Sequence, residues 1–162
     1  MEMPHVPTAR EMMTRKLVTL RPDLPAVEAA AVLLKHGISG APVVDEEGHL
    51  LGLLSEYDCL RAVASADFEM DSHDAIEVVG ELMSKDCVTI GPEMELFAVA
   101  HEFVVRRMRR FPVIEDGKLI GQVSRRDALK AAVALRKKIS GSHHQYPDYP
   151  EGRNPIRNYP SR

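Results

Sequence analysis

The 162-residue sequence has no tryptophan, and aromatic residues make up only 5% of it. It therefore offers no row of aromatic faces on which single-stranded nucleic acid would stack. Its two cysteines, Cys59 and Cys87, are too few for a disulfide scaffold and do not form a CxxC metal pair. No apolar run approaches the roughly 20 residues that span a bilayer, and the opening MEMPHVPTAR lacks the apolar centre of a signal peptide. A cytoplasmic protein away from membranes is the expectation. Basic charge is also scarce: residues 1–135 hold 15 Lys and Arg against 22 Asp and Glu. Only residues 136–162 are basic, with 6 against 2, and the net charge of −3 argues against a nucleic-acid partner. The seven histidines and two cysteines spell out no nucleophile, base and orienting group. No catalytic set is expected, and Cys59 reads as a small buried hydrophobe.

The sequence does contain an internal repeat, and that decides its architecture. Met13, Val18-Thr19, Pro22 and Pro42-Val43 recur 70 residues later as Met83, Val88-Thr89, Pro92 and Pro112-Val113. Past a turn where Asp45-Glu46-Glu47-Gly48 shortens to Glu115-Asp116-Gly117, the offset becomes 69. Gly52, Ser55, Asp58 and Leu60 then meet Gly121, Ser124, Asp127 and Leu129. A single deletion at a turn is where a loop tolerates one.

Each copy reads as strand, helix, strand, turn, strand, helix. In the first, Val18–Leu20 is a short strand, and Asp23 caps a helix with Pro25 in its first turn. Val27, Ala30, Ala31 and Leu34 form an apolar stripe at helical spacing, with Gly37 at the C-terminal end. Residues 41–45 and 50–54 form a hairpin, and a last helix covers about 56–64. Leu96, Val99, Ala100, Phe103 and Val104 are the stripe of the second copy. One unit near 55 residues is marginal alone, whereas two packed sheet to sheet are not. The expected fold is therefore α+β. Repeat 1 spans 9–64, an acidic connector 65–79 and repeat 2 80–135. An irregular, flexible tail covers 136–162, because its Tyr-Pro steps and few aliphatic residues cannot offset the entropy of ordering. His143-His144 in that tail reads as polar rather than metal-binding. Met12, Met13 and Met83 read as core or hinge packing.

The strongest local pattern is Gly52-x-x-Ser55-x-x-Asp58 and its copy Gly121-x-x-Ser124-x-x-Asp127. Ser-x-x-Asp where a strand gives way to a helix is a capping box. The preceding glycine admits another backbone or a ligand. In the functional reading, the carboxylate meets ribose hydroxyls while the serine and free helix N–H groups face a phosphate.

With these motifs, Met13-Thr14, Met83-Ser84, Gly40-Ala41-Pro42-Val43-Val44-Asp45 and Arg110-Phe111-Pro112-Val113-Ile114-Glu115, residues 9–135 resemble a tandem pair of CBS domains, or Bateman module. The resemblance implies two clefts between pseudo-twofold-related units that bind adenine nucleotides or adenosyl compounds. It implies a first cleft using Thr19, Ile38, Ser39, Gly40, Ala41, Pro42, Ser55 and Asp58. A second would use Thr89, Arg107, Met108, Arg109, Arg110, Phe111, Pro112, Ser124 and Asp127. Backbone around Gly40-Ala41 and Arg110-Phe111 would read the adenine, with Ile38 and Met108 against its faces.

The copies differ where nucleotide-sensing relatives carry basic residues: His36-Gly37 stands against Arg106-Arg107. Arg107 is therefore the candidate phosphate ligand, with Arg106, Arg109 or Arg125 as helpers. Glu56 and Tyr57 disfavour a polyphosphate in the first cleft, which is expected to take an uncharged or singly charged adenosyl ligand or to stay empty. Arg106 also fits a plain helix pair with Glu102, and cations suit a helix C-terminus. The expected protein is a non-catalytic regulatory sensor. It needs no metal or obligatory cofactor, takes AMP, ADP, ATP or an adenosyl compound as ligand, forms a homodimer and signals to a regulated protein by population shift. The alternative is a ligand-independent adaptor. An inosinate dehydrogenase carrying such a pair is not expected, because its barrel needs about 250 further residues.

Overall fold

The computed structural model of the protein describes residues 4–65 and 77–141. The first repeat comprises a one-turn helix, α1 (Ala9–Met12), then α2 (Ala26–His36), β1 (Gly40–Val44), β2 (Leu50–Ser55) and α3 (Glu56–Ser65). The second repeats the series with α4 (Val79–Leu82), α5 (Leu96–Arg106), β3 (Arg110–Glu115), β4 (Lys118–Ser124) and α6 (Arg125–Ile139). Both strand pairs are antiparallel hairpins, with Gly40 opposite Ser55 and Arg110 opposite Ser124. Gly48 and Gly117, at φ 89° and 79°, make the turns. The fold is α+β in two repeats, as the repeated pattern requires. Most of the acidic connector, and residues 142–162 with His143-His144, lie outside the described residues, while 136–139, expected to begin the irregular tail, instead continue the last helix.

Each repeat is completed by the other. The N–H of Ala26, at the start of α2, donates to the Glu77 carbonyl (2.9 Å), and that of Leu96, at the start of α5, to the Pro7 carbonyl (2.9 Å). Donors that a helix leaves unsatisfied are thus met by backbone of the segment leading into the opposite copy. Asp23 does not cap α2: it is exposed, 3.7 Å from Arg21, and Pro25 takes the N-cap position. The expected strand 18–20 reduces to a bridge at Leu20, whose N–H reaches the Pro42 carbonyl (2.9 Å) before Pro22 ends any continuation.

Two cores result. Val79, Leu82 and the partly buried Met83 join the core of repeat 1, while Ala9 and Met13 join that of repeat 2. Phe103 and Phe111 are in ring contact at the centre of the latter, with centroids 4.6 Å apart. The inner face of α2 is not the stripe its larger side chains suggest. Ala29 and Leu33 are buried, whereas Val27 is 82% and Leu34 74% exposed. Two apolar faces share this helix, and the core takes the one carrying Ala29 and Leu33, with Ala26 and Val32 packed against it. In α5, Leu96, Val99 and Phe103 are buried as expected, but Val104 points outward. α6 continues to Ile139, beyond the end of its apolar pattern, with Arg136, Lys137 and Lys138 in the last turn complementing the helix dipole.

Arg10, on α1, ties the leading segment to repeat 2 through Glu93 (2.9 Å) and Glu115. The hydrogen bond from Arg10 holds the Glu115 carboxyl below its ordinary range. A folded-state pKa below the unfolded one contributes stability at neutral pH and loses it as pH falls through the folded value. Arg10→Ala is therefore expected to lower the thermal midpoint at neutral pH and to bring the two proteins closer together on acidification. A midpoint difference that stays constant with pH would contradict this.

Candidate ligand clefts

The Ser-x-x-Asp pairs form the same capping box twice. Asp58 Oδ2 accepts from the Ser55 N–H (2.9 Å) and hydroxyl (2.7 Å), while Ser55 Oγ accepts from the Asp58 N–H (3.2 Å). The corresponding distances at Ser124 and Asp127 are 2.8, 2.7 and 3.1 Å. Their surroundings differ. Asp58 is buried, and its Oδ1 lies 3.7 Å from Arg61, which also reaches the Leu82 carbonyl (3.5 Å). Asp127 is only half-buried, and Lys130 stands at the position of Arg61. Among the described residues no hydrogen bond engages Oδ1 of either aspartate, and only that of Asp58 has an ion-pair partner.

Backbone contacts join each box to the segment expected to read adenine. The Glu56 N–H donates to the Ser39 carbonyl (2.9 Å) and the Arg125 N–H to the Arg109 carbonyl (3.1 Å). Ala41, Pro42, Phe111 and Pro112 are buried, and the Phe111 side chain belongs to the core, so these positions offer a cleft mainly backbone. Ile38 and Met108 are half-buried against the cores of their own repeats. Thr19 and Thr89 are exposed, each followed by a residue bonded to Pro42 or Pro112. Thr89 lines a cleft of about 240 Å³ between the repeats, with Leu50, Leu51, Lys85, Cys87, Ile114 and Gly117. Ser124 and Asp127 are not part of that lining.

The repeated glycine has a structural explanation. A Cβ on Gly52 would lie 2.7 Å from the Ser84 carbonyl oxygen and 2.7 Å from Met83 Sδ. On Gly121 it would lie 2.5 Å from Met13 Sδ and 3.0 Å from the Thr14 carbonyl oxygen. What approaches is thus the other repeat's leading segment. Thr14 pairs with Gln122, and Ser84 with Leu53. Met13-Thr14 and Met83-Ser84 therefore run beside β4 and β2, on the strands that end at Ser124 and Ser55. Sequence reasoning did not place them there, although their duplication was a usable signal.

Arg106 pairs with Glu102, as helix spacing predicts. Arg107 is exposed and left-handed at φ 54°, where α2 uses Gly37 at φ 61°. Burial, then neighbouring acids, push both cysteine thiols up, so neither favours a thiolate. No helix among the described residues is long and apolar enough to cross a membrane.

The CBS-domain family model matches residues 9–65 and 79–134, so the chain belongs to the CBS-domain family as a tandem pair. It is 31% identical over 155 residues to the chloroplastic CBS domain-containing protein CBSX1 of Arabidopsis thaliana, covering 80% of this chain and 66% of that one. It is 30% identical over 118 residues to the CBS domain-containing protein YhcV of Bacillus subtilis, covering 72% and 79%. The first curated relatives it matches are longer, and the aligned part spans 41% to 66% of their length. Among solved structures, CBSX2 of Arabidopsis thaliana in complex with AMP superposes with a TM-score of 0.69 at 28% identity, covering 80% of this chain and 98% of that one.

Proposed function

We propose that this CBS pair is a non-catalytic sensor of an adenine nucleotide, with the second cleft as the phosphate-bearing site. The asymmetry of the two carboxylates carries this reading. Asp58 is buried with Arg61 at 3.7 Å from its Oδ1, whereas Asp127 is half-buried with no ion pair among the described residues. Asp127 would accept from the ribose hydroxyls, backbone at Arg109–Phe111 would meet the adenine, and Arg107 would meet the phosphate. The AMP bound to the related CBSX2 supports the ligand class. Glu56 and Tyr57 make the first cleft suited to an uncharged or singly charged adenosyl compound. No metal or further cofactor enters this reading, and its setting is the cytoplasm.

Equilibrium binding of adenosine, AMP and ATP tests the assignment. Arg107→Ala is expected to weaken AMP about tenfold, in line with loss of a charged hydrogen bond, and to leave adenosine nearly unchanged. Equal loss for both ligands would contradict a phosphate role for Arg107.

The same reading includes a homodimer. Val27, Leu34, Tyr57 and Leu60 in one helix pair, and Phe97, Val104 and Leu129 in the other, are all more than 60% exposed. α5 and α6 enclose a largely apolar groove of about 450 Å³ lined by Phe97, Ala100, Val104 and Leu129, with Arg107 and Arg125 also in its wall. A second copy presents the same faces, so a twofold contact would cover them in both chains. Phe97→Glu is expected to halve the solution mass measured by light scattering. A monomeric parent, or an unchanged mass, would contradict the dimer. Ligand-dependent packing of these helices is the proposed route to a regulated partner.

The exposed faces also favour the adaptor reading, in which the pair recruits a partner without ligand. Under that reading Asp58→Asn and Asp127→Asn leave every binding property intact.

A further inference from the structure

We propose that Arg125 is a positioning residue for the second cleft, fixing the turn at residues 107–109. This inference rests on the reading that the cleft takes an adenine nucleotide. The Arg125 guanidinium spans two successive carbonyls: Nη2 donates to the Arg107 oxygen at 2.7 Å, and Nε donates to the Met108 oxygen. The Arg125 backbone N–H adds a third bond, to the Arg109 carbonyl at 3.1 Å. One residue thus holds all three peptide units of the segment.

Its place in the chain makes this notable. Arg125 is the first residue of α6, where a cation opposes the helix dipole. Glu56 occupies the same position in repeat 1 and suits the dipole there. The Arg125 side chain instead reaches the turn after α5, where carbonyls favour a cation.

The two turns also close differently. In repeat 1, Gly37 enters the left-handed region freely, and backbone bonds from Gly37 to Leu34 and from Ile38 to Leu33, both 3.1 Å, seal the helix end. In repeat 2 a non-glycine residue takes that conformation at φ 54°. No bond from Met108 to Phe103 seals it among the described residues. Arg125 holds the turn from outside instead.

A phosphate ligand and a positioning residue give different results on mutation. Arg125→Ala is expected to weaken adenosine and AMP by the same factor, about three- to tenfold, because it loosens backbone that both ligands use. Arg125→Lys, with a single-point ammonium, is expected to recover only part of the loss. Loss confined to AMP would make Arg125 a phosphate ligand and overturn the proposal. Amide hydrogen exchange without ligand is the second measurement. Faster exchange at 107–110 is expected in Arg125→Ala and not in Arg107→Ala. Unchanged exchange there would overturn the proposal by itself. Failure of the wild-type protein to bind adenosine or AMP would instead sink the nucleotide reading, with the exchange result still deciding whether Arg125 holds the turn.

Discussion

Gly52→Ala is expected to lower stability by about 2–3 kcal/mol, the upper part of the range for overpacking a filled site. The added methyl group would meet the Ser84 carbonyl oxygen at 2.7 Å. Little can yield, because Ser84 and Leu53 exchange both backbone hydrogen bonds at 2.9 Å beside that point. Met83, whose Sδ also lies 2.7 Å from the new carbon, is packed against the core of repeat 1. For a chain of this length the loss corresponds to about 5–10 °C in thermal midpoint. Gly91→Ala is the control: nothing lies within 4 Å of its added carbon, and a neutral or slightly stabilising change is expected. If Gly52→Ala melts with the parent, the leading segment of repeat 2 does not lie on β2 as described.

The second large effect concerns binding. Asp127→Asn keeps an amide oxygen able to accept from Ser124, so its stability cost should stay near or below about 1 kcal/mol. It removes the charge offered to the ribose, and AMP binding is expected to weaken about ten- to a hundredfold, the range for a lost hydrogen bond to a charged group. Asp58→Asn should cost less binding and more stability, because Asp58 is buried and lies beside Arg61. Parallel titrations and thermal melts of the two variants separate these effects. If Asp58→Asn abolishes binding while Asp127→Asn is silent, the clefts are assigned in reverse.

Much of this was legible because the sequence states it twice. Duplication set the hairpins, fixed the turn where one residue is lost and marked both capping boxes. Single-element reasoning went wrong where a partner from far along the chain decides the outcome. Asp23 has the position of a cap for α2, but the Glu77 carbonyl meets Ala26 instead. Val27 and Leu34 have the spacing of a core stripe yet face outward, because periodicity cannot rank two apolar faces on one helix. The glycine before each serine was legible only as a site of close approach. That the approaching group is Ser84 or Thr14 from the opposite repeat is a tertiary fact that no local pattern contains. In the second cleft, composition singled out Arg107, but the hold of Arg125 on its carbonyl required the folded geometry.

Calorimetric titration of the nucleotide-free protein with AMP tests the central claim most directly. The account predicts saturable binding with a dominant site per chain, weakened about ten- to a hundredfold in Asp127→Asn and much less in Asp58→Asn. Absence of binding by AMP, ADP, ATP and S-adenosylmethionine alike would contradict it and favour the ligand-independent adaptor.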